Sequence, residues 1–168
     1  MPCSDTSGEP KSEKPLSGPG TRRAPLSDPR CTVRSMAERP TTNWRKGVAD
    51  EASKVAVGAL DPDCACRGEL FPAELLLETD AVLGAFEAEL PTLADGDDAR
   101  VFAAVERVVL ALNAVNEAHD ECAFETEERE QLCAYIDEAL TEQGIDVAAL
   151  TARSGLGRHE LTDRWRDW

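Results

Sequence analysis

The chain has 168 residues, with 33 acidic against 18 basic side chains and a formal net charge of −15. Affinity for phosphate backbones and for anionic lipid surfaces comes from Lys and Arg, so this balance argues against nucleic acid and membrane and favours a basic protein partner. No run approaches the roughly 20 apolar residues that span a bilayer. The opening Met1-Pro2-Cys3-Ser4-Asp5 carries no apolar signal region, so a cytoplasmic location is expected, with the six cysteines reduced.

Residues 1–42 read as a disordered tail, because Pro, Ser, Gly, Thr and charge dominate and Leu16, Leu26, Val33 and Met36 stand isolated. The tail carries seven basic and five acidic side chains, which places the acidic excess in residues 43–168. The lack of structural pattern before Met36 raises the expectation that translation starts there.

Helical spacing begins after the tail. Trp44, Val48, Ala52, Val55 and Ala59 share one face, with Asn43 as the N-cap. Asp61-Pro62-Asp63 ends this helix, and a polar segment with Cys64, Cys66 and Gly68 follows. A second helix opens at Pro72 and buries Leu76, Leu83, Phe86 and Leu90, until Pro91 and Asp95-Gly96-Asp97-Asp98 break it. A third is capped by Asp97 or Asp98. It carries Val101 or Phe102, Val105, Val108, Val109, Leu112, Val115 and His119 at helical spacing.

A fourth starts near Thr126, with Glu127 and Glu128 favoured by the dipole of its first turn. Leu132, Cys133, Ile136, Ala139 and Leu140 form its inner face, and Gly144 ends it. Asp146 caps a short helix over Val147 to Arg153, and a further one after Gly155-Leu156-Gly157 carries Leu161, Trp165 and Trp168. No run has the alternation of a surface strand. The expected fold is all-α: a compact bundle of four main helices with short C-terminal helices, in one helical domain over residues 43–168.

The block from Ala111 to His119 (ALNAVNEAH) and the run Phe124 to Glu130 (FETEERE), with Phe71-Pro72 upstream and Arg166-Asp167-Trp168 at the end, carry a resemblance. Over about Phe71 to Trp168 the chain resembles a family of small bacterial all-helical proteins of unknown function. The resemblance implies a compact helical fold in a bacterial cytosol and no catalytic residue set.

Several residue groups invite chemistry. Cys64, Cys66, His119 and Cys122 form a possible S₃N set for zinc, although paired zinc cysteines are ordinarily two to four residues apart and Cys64-Ala65-Cys66 is tighter. The same C-x-C pair is a candidate redox couple with Arg67 as its adjacent base. Asn113, Asn116 and His119 lie along the third helix as a polar trio that could line a small-ligand pocket; Asn116 in place of Glu removes the di-metal pattern.

His159-Glu160-Leu161-Thr162-Asp163 is a zinc-protease-like run with Asp163 for the second histidine, and a docked terminal helix explains the same residues. Val147 to Trp165 has a helix–turn–helix outline, but acids interrupt its basic face. The acid-rich Asp120-Glu121 and Glu125 to Glu128 lack the EF-hand pattern and form either a solvated helix start or a partner surface.

No phosphate loop, dinucleotide fingerprint or nucleophile elbow is present, and no cofactor is expected. The leading expectation is a non-enzymatic interaction or regulatory protein that meets a basic protein partner. The alternative is a small-ligand or metal-binding bundle using His119, Asn116 and the thiols of Cys64, Cys66 and Cys122.

Overall fold

The computed structural model describes residues 37–94 and 97–168, and these are all-α. The tail up to Met36, with the proposed start, lies outside the described residues, as do Asp95 and Gly96. In chain order the helices are α1 (Pro40–Ala56), α2 (Arg67–Leu70), α3 (Ala73–Glu89), α4 (Asp98–Ala118), α5 (Thr126–Glu142) and α6 (Val147–Arg153). Single 3₁₀ turns occupy Pro62–Cys64, Leu90–Thr92 and Arg158–Glu160, and no strand occurs among the described residues.

Helix ends follow local chemistry. Asp97 caps α4, its carboxylate accepting the Arg100 N–H at 2.9 Å, and Asp146 caps α6 through the Ala149 N–H at 3.0 Å. Gly144 follows α5 at φ 87°, a left-handed residue that lets Ile145 N–H return to the Leu140 carbonyl at 3.2 Å. At the start of α1 the chain departs from expectation. Arg39, not Asn43, is the N-cap residue and Pro40 takes the first turn, because Arg39 is tied to α3.

The pairing of long helices is legible from their contacts. Glu89 meets Arg107 and Glu78 meets His119, so α3 and α4 run antiparallel. Ala37 N–H donates to Glu142 at 2.8 Å and Trp44 Nε1 donates to Gln131 at 2.6 Å, so α1 and α5 are antiparallel too. Arg39 pairs with Glu87 while Arg45 reaches Asp80 and the Leu76 carbonyl, which sets α1 antiparallel to α3.

Between them these helices bury Leu75, Leu83, Leu90, Val105, Val109, Leu112, Leu132, Ile136 and Leu140 almost completely. Burying such a side chain contributes about 1.5–3 kcal/mol relative to leaving it exposed. Aromatic rings close one end of the bundle. Trp44 stacks on Phe71 at 5.1 Å and tilts against Phe124, whose other side meets Trp168 edge-on at 5.7 Å.

Two expected features differ. The stripe proposed for α1 is buried only at Trp44; Val48 and Val55 are half-exposed and Ala52 and Ala59 exposed, and at Gly47 and Glu51 the helix is met by Arg67 of short α2. The final segment is not a regular helix. After the Arg158–Glu160 turn it continues through further turns, because Glu160 folds back onto the Gly157 N–H and the two tryptophans dock on different partners, Trp165 on Phe102 and Trp168 on Phe124. Eleven residues are in any case too few to hold a helix without a common docking face.

Candidate functional site

Asn113, Asn116 and His119 lie on successive turns of α4 and its C-terminal end, yet each serves a different neighbour. Asn116 is 5% exposed, and its side-chain oxygen accepts the N–H groups of Ala123 and Phe124 at 3.0 and 3.1 Å. Its carbonyl accepts His119 N–H and Glu121 N–H at 3.1 and 3.0 Å. One residue therefore satisfies four backbone donors of the α4–α5 connection, where backbone groups otherwise lack partners. Asn113 donates to the Trp165 carbonyl at 2.8 Å and holds the C-terminal segment. His119 follows α4 as its C-cap and places Nε2 2.8 Å from the Glu78 carboxylate on α3. Asn113 and Asn116 share α4 and His119 caps its end, but the three side chains turn to different partners: the Trp165 carbonyl, the Ala123 and Phe124 amides, and Glu78.

The four proposed metal ligands are divided between two places. Cys64 closes the Pro62–Cys64 turn and Cys66 precedes α2, both exposed, while α2 is held to α1 by Arg67 N–H on Glu51 at 2.6 Å. Cys122 is exposed in the α4–α5 connection, its Sγ 3.6 Å from the His119 carbonyl. Among the described residues no three His, Cys, Asp or Glu side chains are grouped to hold a metal ion. In the protease-like run His159 is exposed, and Glu160 is engaged as a cap on Gly157 rather than facing a ligand.

Sequence reading missed a polar network inside the bundle. Arg39 forks onto Glu87 at 2.6 and 2.5 Å, and the buried Tyr135 hydroxyl donates to the same carboxylate. Asp80 accepts from the Thr41 hydroxyl and pairs with Arg45 at 2.5 Å. Hydrogen bonding from Arg39, reinforced by Tyr135 against the opposing effect of burial, holds the Glu87 carboxyl below its ordinary range. For Asp80, burial pushes upward, but Thr41, Arg45 and Arg39 outweigh it and leave the group lowered. Burial and the adjacent Glu87 push the Tyr135 phenol upward. Every charge here has a partner, and the network fastens α1, α3 and α5 together. The signal for it was weak, since Arg39 falls in the Pro- and Ser-rich stretch read as tail.

The feature without an internal purpose is the corner between α4 and α5. Glu117, Asp120, Glu121, Glu125, Glu127, Glu128 and Glu130 crowd into 14 residues that hold one arginine, and all but Glu128 are exposed. None of the seven is paired with a Lys or Arg among the described residues; only Glu127 has a side-chain partner there, Gln131. Six arginines (Arg39, Arg45, Arg107, Arg153, Arg158 and Arg166) serve acids elsewhere instead: Asp80, Glu87, Glu89, Asp98, Asp137 and Asp163 are all paired.

The corner's backbone is also strained. Asp120 and Glu121 stand at φ 62° and 58°, a left-handed conformation that costs a non-glycine residue roughly 1–2 kcal/mol. Asn116 and the His119–Glu78 contact hold it in place from behind. No family model, no curated protein and no solved structure matches this chain significantly, so its reading rests on this geometry.

Proposed function

We propose that this chain is a non-enzymatic interaction protein that engages a basic protein partner through the acidic corner between α4 and α5. The observation that supports the reading is the concentration of local costs at that one place. Seven acids lie without a basic partner among the described residues, and two of them sit in left-handed backbone. Glu117 adds to this by lying in the last turn of α4, where the helix dipole disfavours an acid by about 0.3–1 kcal/mol. Features that weaken a fold and are nonetheless braced from behind concentrate at functional surfaces. A basic partner would neutralise the corner's charge on contact, and the chain's overall negative charge would speed the encounter.

The small-ligand reading through Asn113, Asn116 and His119 has no comparable support, because each side chain makes a hydrogen bond within the fold.

The test compares two variants of equal net charge. One neutralises the corner (Glu117→Gln, Asp120→Asn, Glu121→Gln, Glu125→Gln); the other neutralises four exposed acids elsewhere (Asp50→Asn, Asp63→Asn, Glu69→Gln, Glu74→Gln). Affinity capture from the native host is expected to retain a basic protein on the wild type and on the second variant, eluting with salt, and to lose it on the first. Capture that is alike for both variants, or indifferent to salt, would overturn the proposal.

A further inference from the structure

Away from the acidic corner, the outer face of the α3–α4 hairpin is apolar and nearly free of unpaired charge. Leu77, Ala81, Ala85 and Ala88 recur at three-and-four spacing on α3, and all four are exposed. Leu110, Ala114 and Ala118 do the same on α4. The two leucines stand well out, Leu77 66% and Leu110 48% exposed. The opposite face of α3 is apolar too, with Leu75, Leu83 and Phe86 in the core. A helix that is apolar on opposite sides ordinarily has packing on both.

Pairing removes charge from this face. Of the five acids on α3, Asp80 and Glu87 turn to arginines of α1, while Glu78 and Glu89 meet His119 and Arg107 at either end of the hairpin. Glu74, in the first turn, is the one left without an ion pair among the described residues. Between the two helices runs an open groove of about 530 Å³, lined by Ala81, Ala85, Ala104 and Ala111 and closed at one end by the Glu89–Arg107 pair.

We infer that this face binds a second copy of the same chain, which makes the protein a homodimer built on its α3–α4 hairpins. Charge selects the occupant. Two chains of −15 repel each other, and a two-fold contact sets each surface patch against itself. Over an acidic surface that arrangement brings like charges together, whereas the hairpin face has its charges already cancelled. A basic partner finds almost no free acid there to neutralise, and an acidic one is repelled by the rest of the chain. Shape agrees with charge, because the face offers both a protruding Leu77 and an alanine-lined groove. Two-fold symmetry lets each Leu77 enter the groove of the other copy. The area is also sufficient. Helices of 17 and 21 residues side by side present a face of about 25 Å by 20 Å. That footprint of about 500 Å², before side-chain relief is counted, approaches the roughly 600 Å² per copy at the low end of specific interfaces.

The experiment is sedimentation velocity of the full chain from about 1 to 200 µM, the range in which a small apolar interface assembles, at low and at high salt. The mass is expected to rise with concentration from 18.2 kDa toward twice that value. The midpoint is expected at lower concentration in high salt, because screening relieves the repulsion between acidic copies while leaving apolar burial intact. Leu77→Glu and Ala85→Glu, each at an exposed position, are expected to weaken self-association at least about tenfold with helical circular dichroism unchanged. Val57→Glu, at an exposed apolar residue just after α1 and off this face, is expected to leave it as in the wild type. The concentration and salt series needs no variant, so it decides the matter even if a glutamate perturbs α3. A mass of 18.2 kDa throughout overturns the inference. A dimer that high salt dissociates, that survives both hairpin glutamates, or that Val57→Glu disrupts as strongly does the same.

Discussion

Asn116 illustrates how a polar residue on an apolar helix face can be read correctly as special and wrongly as to purpose. Its spacing with Asn113 and His119 was visible in the sequence, but the four N–H groups it satisfies belong to the α4–α5 connection, whose path no local pattern discloses. Asn116→Ala leaves the Ala123 and Phe124 amides without their acceptor. It is therefore expected to destabilise the fold by about 1–3 kcal/mol, with faster hydrogen exchange at those two amides. Unchanged exchange there would contradict the clamp.

Asp80 and Glu87 make a second residue-level prediction. Both are held below their ordinary range, so the unfolded chain takes up protons first as pH falls. The stability they contribute is fully present above the unfolded values of about 4, and it drains away as pH drops through the lower folded values. Thermal melting of Asp80→Asn/Glu87→Gln is expected to be less stable near neutrality and flatter between about pH 5 and pH 2 than the wild type. A parallel decline in both proteins would show that the network does not set the acid limb.

At the scale of the elements, starts and stops were largely readable because they depend on local chemistry. Asp97, Asp146 and Gly144 stand where side-chain oxygens or a left-handed residue are needed, and each does that work in the structure. Replacing Asp97 with Ala is expected to cost about 1 kcal/mol, within the usual 0.5–2 range for an N-cap, measurable by denaturant unfolding. A loss within error would mean that α4 is held by packing alone.

Errors at this scale arose where burial depends on distant segments. The stripe Val48, Ala52, Val55 has helical spacing, but spacing cannot reveal how little of that half of α1 is covered by the rest of the fold. The segment with Leu161, Trp165 and Trp168 has an apolar pattern that fits a helix, while its aromatic rings find separate docking sites. The start of α1 at Pro40 was hidden for a related reason: Arg39 and Thr41 look like tail residues until Glu87 and Asp80 face them.

Across the helical unit, the strong acid excess is distributed unevenly in its consequences. Four acids, Glu87 and Glu89 on α3, Asp98 at the start of α4 and Asp137 in the middle of α5, are drawn into pairs that fasten elements together. Those of the α4–α5 corner are left facing solvent on a strained connection. The all-α class was legible from helical periodicity and the lack of alternation. Part of the corner was legible as charge. Its strain, its bracing by Asn116 and His119, and the commitment of six arginines to acids elsewhere needed three dimensions.

The most direct test of the account is amide chemical-shift mapping of the ¹⁵N-labelled chain titrated with an oligolysine peptide, at low salt and again at high salt. Perturbations are predicted to concentrate between Glu117 and Glu130 and to vanish as salt screens the charges. Shifts spread evenly over the acidic surface, or centred away from that corner, would contradict the claim that it is the surface on which a basic partner binds.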